Sequence, residues 1–280
     1  MSEPVRRYVA FSARPEGGNP AGVVLDAAGM SDERMLAIAA ELGYSETAFL
    51  VGANRDGYDI RYWSPLAEVP FCGHATVATG VALAERDGVG RIVLHTRSGA
   101  VPVVTERRED GVITATLTSV PPRVEALAPG DLDEVLAALG WTRADLDPAL
   151  PPRVGFAGAY HPVIGAATRA RLADLEYDFE RLGALMAARD WTTMQLVWRA
   201  NETRFHSRNP FPPGGVVEDP ATGAAAAAFG AYLRDTGLVT PPASVTIIQG
   251  EDLGRPGELR VDIAADRPEI DVTGAAVELT

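Results

Sequence analysis

The chain has 280 residues, 46% of them hydrophobic and 22% charged, an ordinary globular composition with room for two cores. Its formal net charge of −13 argues against a nucleic-acid or anionic-membrane surface, which needs clustered Lys and Arg, and leaves small molecules as the expected partners. The start Met1 to Arg7 lacks an apolar leader, no later stretch nears the roughly 18 apolar residues of a membrane span, and Cys72 is the sole cysteine, so the expectation is a cytoplasmic protein with neither an intrachain disulfide nor a cysteine-rich zinc site.

Val5 to Phe11, Ala21 to Leu25, Glu46 to Val51 and Gly57 to Trp63 are rich in β-branched and aromatic residues and read as strands. In the last, Tyr58, Ile60 and Tyr62 share one face while Asp59 and Arg61 share the other, the pattern of a half-buried antiparallel strand. A helix is predicted between the second and third strands. Ser31 caps it, Asp32 and Glu33 occupy its first turn, Met35, Ile38, Ala39 and Leu42 form its apolar stripe, and Gly43 ends it.

A loop with two prolines follows, from Ser64 to His74, and then a helix of small residues reaching Glu85. With Ala75, Val77, Ala78, Val81, Ala82 and Leu83 leaving little polar surface, it is expected to lie at the centre of a core with strands wrapped around it. Arg91 to Thr96, Ala100 to Thr105 and Val112 to Leu117 supply further strands, and Val120-Pro121-Pro122 reads as a linker. The predicted domains are therefore residues 1–120 with a returning C-terminal strand at 268–280, and residues 121–267.

The second half repeats the plan. Glu218, Pro220, Gly223, Gly230 and Leu233 match Glu68, Pro70, Gly73, Gly80 and Leu83 at one offset of 150, the mark of an internal duplication. Upstream, Arg204-Phe205 is aligned with Arg61-Tyr62 at an offset of 143, which gives the second half seven extra residues around Asn209 to Gly215, a candidate mobile loop. Each half would present a helix N-terminus, with its free N–H groups, to a shared cleft suited to a carboxylate.

Five ordered motifs carry a resemblance over essentially the whole chain: Gly18-Asn19-Pro20, Ser45-Glu46-Thr47-Ala48-Phe49, Pro70-Phe71-Cys72-Gly73-His74-Ala75-Thr76, Glu218-Asp219-Pro220-Ala221-Thr222-Gly223, and Gln249-Gly250 with Gly254-Arg255-Pro256. Together they resemble the PhzF-like family of phenazine biosynthesis. The resemblance implies an α/β (α+β) fold of the diaminopimelate-epimerase type, two pseudo-symmetric domains each with mixed sheet around a central helix. It implies that Glu46 is the proton-shuttling acid/base, that Asn19, Gly73, His74, Asp219, Gly223 and Ala224 line the substrate site, and that no cofactor or metal is used. Where the family pattern often continues Thr-Gly-Ser, this chain has Ala224 after Gly223, so a hydroxyl contact is missing there.

From the residues alone, Glu46 reads as a strand-edge glutamate in a surface ion pair, His74 as an exposed or capping residue, and Asp219 as a loop or N-capping acid. With the resemblance, the catalytic and binding roles become the stronger readings. Cys72, two residues before His74, suggests a nucleophile, but the preferred reading is a small buried residue in a tight loop. Related racemases of this fold need two thiols, and Thr222 stands at the position equivalent to Cys72. His95, His161 and His206 show no metal spacing, no phosphate or dinucleotide motif is present, and Trp63, Trp141, Trp191 and Trp198 read as packing. The expected activity is a cofactor-independent isomerisation of a small carboxylate-bearing metabolite, in secondary metabolism, by a homodimer. A non-catalytic small-molecule-binding protein on the same scaffold is the alternative.

Overall fold

The structure is a computed structural model that describes residues 5–279. It divides into two compact units, one assigned to Met1–Thr118 with Val272–Thr280 and the other to Ser119–Asp271.

The first unit contains β1 (Arg6–Ala10), β2 (Asn19–Val24), α1 (Asp32–Leu42), β3 (Thr47–Asn54), β4 (Gly57–Trp63), the two-residue β5 (Glu68–Val69), α2 (Gly73–Asp87), β6 (Arg91–Thr96), β7 (Gly99–Arg107) and β8 (Ile113–Thr118). Pairing is antiparallel for β1–β2, parallel for β2–β3, antiparallel for β3–β4, parallel for β4–β6 and antiparallel for β6–β7–β8. The last strand of the chain, Ile270–Glu278, pairs with both β1 and β8. The sheet thereby closes on itself, which removes its edges. Inside it runs α2, buried at every residue from Gly73 to Ala84. Helix α1 lies on the outside: the Ser31 hydroxyl accepts from the Arg34 N–H, Gly43 closes it in the left-handed conformation, and Met35, Ile38 and Ala39 pack with Val24, Phe49 and Trp63.

The second unit follows with β9 (Arg123–Ala126), α3 (Pro129–Leu139), β10 (Arg153–Phe156), β11 (Tyr160–Gly165), α4 (Arg169–Ala173), α5 (Phe179–Arg189), β12 (Gln195–Arg199), β13 (Arg204–Phe211), β14 (Val216–Asp219), α6 (Gly223–Asp235), β15 (Ala243–Gln249) and β16 (Gly257–Ile263), before the shared last strand, β17. Its pairings repeat those of the first unit in order: β10–β11 antiparallel, β11–β12 parallel, β12–β13 antiparallel, β13–β15 parallel, β15–β16 antiparallel. The alanine-rich α6 takes the place of α2. Helices α3, α4 and α5 build a separate apolar cluster with Ile164 and Leu196 of the sheet, and with Trp141 and Trp191. Among the described residues no helix is long and apolar enough to cross a membrane.

The structure corrects the upstream alignment of the repeat. Strand β5 pairs Glu68 with Trp63, and β14 pairs Glu218 with Pro210, so Arg61 corresponds to Arg208 and not to Arg204. Both arginines bind their glutamates: Arg61 reaches Glu68 seven residues on, at 2.7 and 2.8 Å, and Arg208 reaches Glu218 ten residues on, at 3.0 and 2.5 Å. The second unit is longer here by three residues and not seven. Nor is the segment from Asn209 a loose loop, since Asn209, Pro210 and Phe211 are strand residues paired with β14, and Asn209 is fully buried.

Close approach of the central helices to their sheets depends on two glycines. A Cβ on Gly230 would stand 2.7 Å from Val261 Cγ1 and 2.8 Å from Ile270 Cγ2, and one on Gly80 would stand 3.0 Å from Val103 Cγ1 and 3.1 Å from Ala115 Cβ. Alanine gains about 1 kcal/mol of helix propensity over glycine, but overpacking a core costs about 1–3 kcal/mol. Gly230→Ala should therefore lower stability in urea denaturation, and Gly80→Ala should lower it less. A Gly230→Ala protein more stable than the wild type would show that β16 and β17 yield freely.

His161 on β11 is fully buried, with Nδ1 2.9 Å from the Thr193 hydroxyl, and burial holds its imidazole down at about 4. The folded state keeps the ring neutral, while the unfolded chain takes up a proton below about pH 6.5. Stability should thus fall as pH drops from about 6.5 toward 4, by roughly 1 kcal/mol per pH unit from this group. Denaturation midpoints measured across that range should show a shallower decline in His161→Gln than in wild type.

Candidate active site

In the first unit, four segments that are distant in sequence bring polar groups to the start of α2. Gly18 has φ of +54°, and a Cβ there would stand 2.1 Å from the carbonyl oxygen of Ala10, so this tight turn accepts glycine alone. The turn delivers Asn19, buried at the head of β2, and its Nδ2 lies 3.2 Å from Nδ1 of His74. Glu46 follows the end of α1 and immediately precedes β3, where its carbonyl accepts from the Gly22 N–H at 3.3 Å. That bond continues the parallel β2–β3 pairing and fixes the backbone from which the carboxylate projects.

Cys72 is the N-cap of α2, Gly73 its first residue and His74 its second. No side chain caps this helix start, and no acidic residue stands in its first turn. The backbone there is anchored from behind: the Thr76 hydroxyl donates to the Cys72 carbonyl at 2.7 Å and meets the Tyr62 hydroxyl at 2.6 Å. Burial pushes the Tyr62 phenol far above its ordinary range, so it remains a neutral partner.

The resulting cluster is compact. Glu46 Oε2 stands 3.5 Å from His74 Nε2 and 3.5 Å from Cys72 Sγ, and the sulfur is 3.3 Å from His74 Nδ1 and 3.8 Å from Nε2. The Ser45 hydroxyl lies 3.4 Å from His74 Nε2. Side chains of Glu46 and His74 are 14% and 5% exposed, so the carboxylate is largely withdrawn from water without being sealed off. Such a group can exchange a proton with a small molecule at its open edge while its neighbours hold its orientation.

Of the residues singled out in the sequence, Glu46, Asn19, Gly73 and His74 are thus brought together. His74 is buried, not exposed, and its ring is held by neighbours on both nitrogens. Ser45 and Cys72 join the same cluster. The residue next to Glu46 in its motif was the available signal for Ser45. For Cys72 it was the spacing to His74, which sequence reading set aside in favour of a packing role.

Asp219, Gly223 and Ala224 lie together in the second unit at the start of α6. Asp219 ends β14 and is buried, Gly223 is the first residue of α6 and buried, and Ala224 is half-buried. The connecting turn is locked from β15. Gln249 accepts from the Thr222 N–H at 3.1 Å and donates to the Asp219 carbonyl at 2.8 Å and to the Thr222 hydroxyl at 3.1 Å. The Thr222 hydroxyl in turn donates to Asp219 Oδ2 at 2.5 Å. Gln249 was legible only as part of a motif. Its work, capping a helix start from a neighbouring strand, depends on tertiary structure. Gln249→Ala should lower stability by about 1–3 kcal/mol, because the part-buried Thr222 N–H and the buried Asp219 carbonyl each lose a partner. A thermal or urea midpoint equal to wild type would show that the turn holds without it.

Comparison with known proteins places this arrangement. The sequence profile of the PhzC-PhzF family, described as "Phenazine biosynthesis-like protein", matches residues 8–280. The "Uncharacterized isomerase YddE" of Escherichia coli O157:H7 is 34% identical over 290 residues, covering 100% of this chain and 97% of that protein. The "Trans-2,3-dihydro-3-hydroxyanthranilate isomerase" of Pseudomonas aeruginosa is 32% identical over 283 residues, covering 97% of each. Among solved structures, the Bacillus anthracis phenazine biosynthesis protein of the PhzF family superposes with a TM-score of 0.89 at 26% identity, covering 99% of this chain and 96% of that one. In fold this chain is diaminopimelate-epimerase-like, and it is an isomerase belonging to the PhzC-PhzF, phenazine biosynthesis-like, family.

Proposed function

We propose that the chain catalyses a cofactor-independent proton shift within a small carboxylate-bearing metabolite, with Glu46 as the general acid/base. The carboxylate takes a proton from a carbon made acidic by a neighbouring carboxylate or enamine and returns it to another carbon of the same molecule. Substrate and product then differ only in the position of one hydrogen and of the double bonds, and the enzyme ends as it began.

One observation carries this reading: Glu46 Oε2 is fixed at 3.5 Å from both His74 Nε2 and Cys72 Sγ, in a setting that is mostly but not wholly dry. A carboxylate so held loses little orientational freedom on reacting, and general acid/base work of this kind is worth about 10² to 10⁴ in rate. Asn19, His74 and the backbone amides from Gly73 would bind the polar groups of the substrate and stabilise charge as it develops. Asp219, Gly223 and Ala224 are proposed as further binding residues. The name of the Pseudomonas aeruginosa relative describes a ring bearing an amine and a carboxylate, which supports a substrate of that general class. The enzyme is proposed to act in the cytoplasm, in secondary metabolism, as a homodimer.

Glu46→Gln tests the assignment. The amide keeps the size and reach of the carboxylate but does not accept a proton under working conditions, so turnover should fall by at least about 10² while fold and ligand binding survive. In deuterated water the wild type should place deuterium at the reprotonated carbon, below stoichiometric amounts where transfer outruns exchange. A variant within about tenfold of wild-type turnover removes Glu46 from the mechanism.

A further inference from the structure

We propose that Asn19 is a positioning residue that acts through His74: its carboxamide donates to Nδ1 and so fixes the neutral ring as the tautomer whose hydrogen is on Nε2, facing Glu46. Which nitrogen of a neutral imidazole carries the hydrogen is set by the hydrogen bonds on offer at each.

The two ring nitrogens of His74 have opposite surroundings. Nε2 stands 3.5 Å from Glu46 Oε2 and 3.4 Å from the Ser45 hydroxyl. A carboxylate oxygen only accepts, so a bare Nε2 would set its lone pair against another, whereas an Nε2–H faces an acceptor. Nδ1 stands 3.2 Å from Asn19 Nδ2 and 3.3 Å from Cys72 Sγ. A carboxamide presents either its NH2 or its oxygen to a ring, and the choice is tied to the tautomer. With the hydrogen on Nε2, Nδ1 needs a donor, and the Asn19 NH2 supplies it. The Cys72 sulfur, a weak acceptor, pulls only weakly for a hydrogen on Nδ1. Asn19 and His74 are 1% and 4% exposed, so water competes little for the ring. The amide is also well anchored, at the head of β2 behind the Gly18 turn.

For the proton shift, the consequence rests on the acid/base reading of Glu46. A Glu46 carboxyl that has taken hydrogen from the substrate faces an N–H and not a lone pair. The lone pair of the ring is engaged by Asn19 on the far side. His74 is thereby closed as an exit for the proton, which stays on Glu46 for return to the same molecule. The Nε2–H also steadies the carboxylate before it reacts.

The test reads the tautomer directly and needs no turnover. The full-length chain is labelled with ¹⁵N-histidine, and its imidazole nitrogens are observed by long-range ¹H–¹⁵N NMR at neutral pH. The chain has four histidines, and the signals lost in His74→Gln assign the ring. In wild type, His74 Nδ1 should resonate as a bare, pyridine-type nitrogen and Nε2 as a protonated, pyrrole-type one. In Asn19→Asp, where a carboxylate accepts instead of an amide donating, Nδ1 should become protonated and shift to the pyrrole-type range. His95, on β6 of the same unit, should keep its signals and so report that the fold is intact. A wild-type ring with its hydrogen on Nδ1, or on both nitrogens, overturns the proposal without recourse to any variant. So does a folded Asn19→Asp protein in which His74 Nδ1 stays bare. An active Glu46→Gln enzyme would end the acid/base reading and leave the tautomer standing, and an Nδ1–H ring in wild type would do the reverse.

Discussion

The contact on which each unit depends is that of a small-residue helix against the sheet around it. The space is so tight that Gly230 has less than a Cβ's clearance from Val261 and Ile270, and Gly80 barely more from Val103 and Ala115. A side chain at either position would press on the strands, which is why glycine stands at these two points of closest approach while α6 accommodates buried Phe229 and Tyr232 elsewhere along its length. A helix buried on all sides has its backbone groups satisfied internally except at its ends. Polar chemistry is therefore displaced from the helix body to its first turn, and the sequence motifs cluster there in both units.

Holding that first turn in place is the task of the preceding strand. In each unit an arginine on the long strand grips a glutamate on the short one, Arg61 with Glu68 and Arg208 with Glu218. The environments differ. The first pair shares its charges with Asp32 and Arg97 near the surface, and Arg61 hydrogen-bonds hold Glu68 below its usual range. The second is nearly dry, its side chains 10% and 2% exposed, with Arg208 also donating to the Ala173 carbonyl. The outer members of the first, Asp32 and Arg97, are 60% and 59% exposed, and pairs made with such exposed groups contribute little each. A desolvated pair of the second kind fixes geometry at the cost of tolerance, since losing either partner strands the other charge.

Local signals made much of this legible. Ser31 and Gly43 bracket α1 as caps should, and the apolar run after Gly73 is the central helix. Less readable were features set by pairing. Strand β5 has two residues, too few to show a pattern in the sequence, and is defined by its pairing with β4. Pro210, Pro212 and Pro213 made the segment after Ser207 look like a loop, yet β13 continues to Phe211 by shifting register between Pro210 and Phe211, the irregularity at which a strand tolerates proline. The wrong upstream alignment came from matching Arg61-Tyr62 to Arg204-Phe205 by residue type, without the strand pairing that sets the correspondence. Candidate site residues were visible as motifs. That Cys72 and Ser45 would stand beside Glu46 and His74 follows from the closure of β2, β3 and α2 around one point, a property of the assembled unit.

The two N-cap positions show how one scaffold serves two purposes. Cys72 and Thr222 are equivalent, and neither caps its own helix with its side chain. Thr222 is committed to structure, its hydroxyl tied to Asp219 and Gln249 within a closed turn. Cys72 points instead at Glu46 and His74. The difference follows from the chemistry of the two side chains. A hydroxyl donates to Asp219 and accepts from Gln249 at once, and so closes its own turn. A thiol is a weak donor and acceptor, so the first turn of α2 is anchored instead by the Thr76 hydroxyl on the Cys72 carbonyl, while the sulfur faces Glu46 and His74.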